Sequence, residues 1–112
     1  MSALGAAEHL VAAAPTVPDS VMIEHSTHFP PNVIGVDLHF SRDAKALTGF
    51  AEAMGVTPLA RTQEFGGEWF TESTVAGRIG DVPYFAWTRL PVAAPQVLPL
   101  STLDTTKVAV TA

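Results

Sequence analysis

The sequence predicts an α+β fold: an antiparallel or mixed sheet of about four to five strands with one main helix on one face, in β-α-β-β-β order. Three observations carry this. VIGVDLHF at 33–40 alternates as a strand does, with Val36, Leu38 and Phe40 on one side and Asp37 and His39 on the other. SRDAKALTGFAEAMG follows at helical spacing, with Ala44, Leu47, Phe50, Ala51 and Met54 on one stripe. Three β-type runs then come in succession, LARTQEF, EWFTESTVAGRI and VPYFAWTRLP, punctuated by Gly66-Gly67 and Gly80-Asp81.

Residues 2–14 suit an additional helix, capped by Ser2 and ended by Pro15. Leu4, Ala7, Val11 and Ala14 would form its inner stripe, and mostly small side chains there imply weak packing. With the proline-bearing linker at 15–20, residues 1–20 read as an N-terminal helix or flexible arm, and residues 21–112 as a single α+β domain. VMI at 21–23 is a short strand candidate that cannot continue through Pro30-Pro31. Ser41 is the expected N-cap of the main helix, Asp43 suits its first turn, and Gly55 suits a left-handed C-terminal residue. Gly49 inside that helix implies a close approach by a neighbouring element. After Pro91 the pattern weakens, with KVAVT at 107–111 as a last candidate edge strand.

Composition excludes several function classes. The chain has 112 residues, 47% of them apolar, which is ample for one packed core. Eleven acidic against six basic side chains give a net charge of −5, the wrong sign for neutralising phosphates, and this argues against double-stranded nucleic acid. Absence of cysteine removes disulfides, thiol nucleophiles and thiolate metal sites together. No apolar run approaches the ~20 residues that span a bilayer. The N-terminal run has no basic n-region and holds Glu8 and His9 where a signal peptide would be apolar, so the expectation is a cytoplasmic protein.

The strand DVPYFAWTRL poses the functional question. Val82, Tyr84, Ala86 and Thr88 face one way and Phe85, Trp87 and Arg89 the other, so bulk falls on both sides and both should be covered. One helix covers only part of a four-stranded sheet. The expectation is a small non-catalytic interaction module that self-associates, as a homodimer, or docks a protein partner through an aromatic sheet face, with Trp69, Tyr84, Phe85, Trp87 and Arg89 as its contact residues. The N-terminal helix and the C-terminal tail are rival covers for that face. Stacking of single-stranded nucleic acid on the same rings is a further reading, opposed by the charge.

The alternative places a small ligand or a divalent metal such as zinc around His39 and Asp37. His25, His28 and His39 lie within fifteen residues of one another, and DLH puts Asp37 and His39 on one strand face. A proline-flanked loop usually leaves histidines solvated, and a His beside an Asp is more often a hydrogen-bonded pair than a ligand set. No nucleophile is fixed by motif: GxSxG, the P-loop and GxGxxG are all absent.

VIGVDLHFSRDAKALTGFAEAMGV resembles the first strand and helix of a vicinal oxygen chelate module, the superfamily of glyoxalases and bleomycin-resistance proteins. The resemblance covers under a quarter of the chain. It implies a βαβββ unit, a second module supplied by a dimer, and a divalent metal held by a His early in the first strand and a Glu late in the last. Gly35 stands near that His position here, and VPYFAWTRL has no Glu. Ferredoxin-like and cystatin-like arrangements fit the same element count.

Overall fold

A computed structural model describes residues 1–41 and 43–94 of the chain. The candidate strand at 107–111 lies outside the described residues. The fold is α+β. Its elements run α1 (Ala3–Ala13), β1 (Ser20–Glu24), β2 (Gly35–His39), α2 (Ala44–Met54), β3 (Leu59–Phe65), β4 (Glu68–Ile79) and β5 (Val82–Pro91). The five strands form one mixed sheet in the order β1-β2-β5-β4-β3, in which only β2 and β5 run parallel.

The core lies on one face of this sheet, beneath both helices. Val36 and Leu38 of β2, Tyr84 and Ala86 of β5 and Val75 of β4 meet Leu47, Phe50 and Ala51 of α2 and Ala6 and Leu10 of α1 in a single buried cluster. Register explains the grouping: Val36 is paired with Tyr84, Leu38 with Ala86, and Ala86 with Val75, so their side chains share a side. Phe50 sits among the rings of Phe40 and Tyr84, with centroids 5.6 and 5.8 Å away. Burial of Tyr84 pushes its hydroxyl above the ordinary tyrosine range, because the anion would lose its hydration.

Helix ends follow local chemistry, with one correction. Ser2 caps α1 by accepting from the Gly5 N–H at 3.0 Å, and Gly55 closes α2 in the left-handed region at φ 71°. The cap of α2 is Asp43, whose Oδ1 accepts from the Ala46 N–H at 3.0 Å; it is not Ser41. Ser41 is drawn into the strand system instead. Its carbonyl accepts from the Thr88 hydroxyl and from the Arg89 N–H, and its backbone turns to φ 43°. Gly49 does admit a close neighbour, since a Cβ there would lie 3.6 Å from the ring of Pro15.

The inner stripe of α1 also differs from expectation. Ala6, Ala7 and Leu10 are buried, with Ala3 and Ala14 partly so, whereas Leu4 is 64% exposed. Leu10, fully enclosed, anchors the helix over β1 and β2, and the small alanines let it approach. This helix therefore covers the same face as α2. It leaves the opposite face open.

Candidate functional site

The open face collects the outward side chains of all five strands. Alternation puts Asp37 and His39 of β2, Phe85, Trp87 and Arg89 of β5, Phe70, Glu72 and Thr74 of β4, and Arg61, Gln63 and Phe65 of β3 on this side. Register then makes neighbours of them. Asp37 stands opposite Phe85, His39 opposite Trp87, and Glu72 between Arg61 and Arg89.

Two side-chain hydrogen bonds link neighbouring strands at the centre of this face. The Trp87 indole N–H donates to Asp37 Oδ1 at 2.9 Å, and the His39 ring lies flat on Trp87 with centroids 4.0 Å apart. Arg89 donates to Glu72 Oε2 at 3.0 Å. Its guanidinium also lies 4.5 Å from the centroid of Phe65, 5.5 Å from Trp87 and 5.8 Å from Phe70, so three rings surround one cation. Its Nε is enclosed by this packing and has no hydrogen-bond partner among the described residues. The bond between Glu72 and Arg89 is partly exposed and adds little to stability; what it supplies is orientation.

The chain itself supplies part of the cover. The loop from β1 to β2 folds back over the top of the open face, where His28 stacks on Phe85 with centroids 3.9 Å apart and planes within 5°. Phe29 beside it is buried against Gly35. A Cβ on Gly35 would lie 2.6 Å from that ring, so only glycine leaves the seat open. Gly35→Ala is expected to push Phe29 off the sheet and unfasten the loop, while the core on the other face stays intact. Faster amide exchange across residues 25–33, with β4 and β5 unchanged, is the readout; uniform loosening of the whole sheet would contradict it.

Between the loop and β3 remains a cleft of about 340 Å³. Its floor is Phe85, Trp87 and Glu72, and its walls are His28 on one side and Arg61 with Phe65 on the other.

The structure brings Phe85, Trp87 and Arg89 together as the strand pattern implies, and corrects two of their expected companions. Tyr84 is not on this face. It is 2% exposed within the core, because its neighbours in register, Val36 and Gly77, both occupy positions on the helix side of the sheet. Trp69 is not on it either. It has the same parity along β4 as Val75, so it lies on the helix side, and Phe70 takes the place expected of it. Phe65, Phe70, Glu72 and Arg61 were missed by sequence reasoning. The signal for them was the Gly66-Gly67 turn, with φ 57° and 85°, which pairs Phe65 with Glu68 and so fixes which residues of β3 and β4 share a face.

The four candidate metal ligands are distributed differently. Asp37 and His39 are both turned to Trp87, His28 lies on Phe85, and His25 stands exposed in the loop. Among the described residues no three His, Asp, Glu or Cys side chains converge as a metal shell. The metal implied by the vicinal oxygen chelate resemblance does not fit this face: Gly35 holds Phe29 where the family histidine would stand, and β5 offers no carboxylate. No described helix is long and apolar enough to cross a membrane. Set against protein-family models, curated proteins and solved structures, the chain matches none of them.

Proposed function

We propose that the chain is a small, cytoplasmic, non-catalytic interaction module that docks a protein partner on the open face of its sheet, with Phe85, Trp87 and Arg89 as anchors. One observation carries this reading. The charged groups at the centre of the face, Asp37, Glu72 and Arg89, each have a partner within the chain while the rings of Phe85 and Trp87 stay partly exposed, so a partner gains apolar contact without stranding a charge. Trp and Arg are also the residue types that dominate interface energetics. Arg61, exposed at the rim and without an ion pair among the described residues, suits an acidic or carbonyl group beside an apolar side chain that enters the cleft.

The test is a photoreactive phenylalanine analogue at position 85, compared with the same analogue at exposed Glu8 on α1. One discrete adduct at 85, absent at 8 and lost in Arg61→Ala at unchanged melting temperature, is the expected result. The same adducts at both positions would overturn the reading. An adduct of twice the chain's own mass would replace the protein partner by face-to-face self-association. A small ligand is the second reading, favoured by the cleft between His28 and Arg61. Native mass spectrometry before and after chelation reads it as bound mass.

A further inference from the structure

Among the described residues the first strand is a second unpartnered surface. It ends the described sheet, bonded there to β2 alone, and Val21, Met22 and Ile23 at its centre are 38%, 51% and 42% exposed. The outer N–H and C=O groups of such a strand are a template for another, and edges are usually blunted by charges, prolines or bulges. At the other edge β3 follows that rule, with Arg61 and Glu64 inside the strand. The centre of β1 has neither charge nor proline, and the nearest prolines, Pro18 and Pro30, lie beyond its ends.

We propose that β1 pairs antiparallel with β1 of a second copy about a two-fold axis at Met22, joining two five-stranded sheets into one of ten strands. The residues around Met22, DSVMIEH, complement themselves in this register. Met22 meets its own copy, Val21 meets Ile23 of the partner subunit, Ser20 meets Glu24 of the partner subunit, and Asp19 meets His25 of the partner subunit. Apolar faces apolar and no like charges are opposed. Neighbouring registers are worse. A slip of one residue opposes Asp19 to Glu24 in one direction and Val21 to Glu24 in the other, and slips of two put Asp19 against Ile23 or Met22 against Glu24.

Alternation also fixes how the two subunits face. Val21 and Ile23 share the helix side, since they pair with Leu38 and Val36, while Met22 pairs with Asp37 on the open side. Pairing at Met22 therefore sets both aromatic faces on one side of the joined sheet, next to each other. A strand pair of this length lies at the small end of interface sizes, so the dimer is expected to form with rising concentration rather than to be obligate. The proposal does not depend on what docks on the open face.

The absence of cysteine makes the register directly readable. Residues directly opposed in antiparallel strands have Cα atoms roughly 4.5–5.5 Å apart, inside disulfide range, whereas a residue one position off the axis, such as Val21, meets its own copy only diagonally, at roughly 7–8 Å. Met22→Cys is expected to give a disulfide-linked dimer on mild oxidation at least tenfold faster than Val21→Cys or exposed Thr48→Cys. Met22→Lys, which opposes two ammonium groups on the axis, should abolish the concentration-dependent dimer in sedimentation while leaving the melting temperature of the monomer unchanged. Equal oxidation rates for the three cysteine variants, or a wild-type chain that stays monomeric at millimolar concentration, would overturn the proposal. Neither result bears on crosslinking at position 85, so the two ideas fail separately.

Discussion

Phe50→Ala is expected to lower the melting temperature by roughly 15–30 °C. The ring is fully enclosed, lies between Phe40 and Tyr84, and comes from the middle of the helix that covers β4 and β5. Truncating such a side chain costs about 3–5 kcal/mol, because the surrounding rings cannot close the space left behind. A domain of this size has about 5–15 kcal/mol in total, so much of the stability would go. Thermal unfolding followed by circular dichroism checks it, and a fall of under 5 °C would mean that the core repacks around α2.

Gly77→Ala is expected to destabilise by about 1–3 kcal/mol through the opposite cause, crowding. Gly77 stands opposite Tyr84 in the β4–β5 pair, and a Cβ there would collide with the phenol, meeting its Cζ at 2.6 Å as well as its hydroxyl oxygen. Tyr84 cannot step aside, since Phe50 lies against it edge-on. The double variant Gly77→Ala with Tyr84→Phe should recover part of the loss, because the hydroxyl is the closest atom. An alanine variant that melts with the wild type would show that the tyrosine moves freely.

How much of this was legible in the sequence depended on whether the cause was local. The alternation of Val82, Tyr84, Ala86 and Thr88 against Phe85, Trp87 and Arg89 is a property of one strand, and the structure divides those residues between its two faces as written. The left-handed Gly55 was likewise readable, since a helix end needs only its own residues. Aromatic bulk by itself does not mark an interface: parity along β5 sends Tyr84 into the core, and Trp69 shares the parity of Val75 on the helix side. Ser41 lost the cap to Asp43 because β5, nearly fifty residues later, claims its carbonyl, and no local rule contains that contact. The seat of Phe29 on Gly35 was invisible for a related reason: it needs a loop to fold over a sheet whose strand order was unknown.

One feature of the topology bears on how the protein is made. β5 lies between β2 and β4, so the strand that joins the two halves of the sheet is the last of the described strands to be synthesised. Until it leaves the ribosome, the β1–β2 and β3–β4 hairpins have no common neighbour, and the hydrogen bond from Trp87 to Asp37 must close a span of 50 residues. Long-range closure of this kind slows folding. Newly made chains therefore pass through an interval in which β2 and β4 both present an unpaired edge.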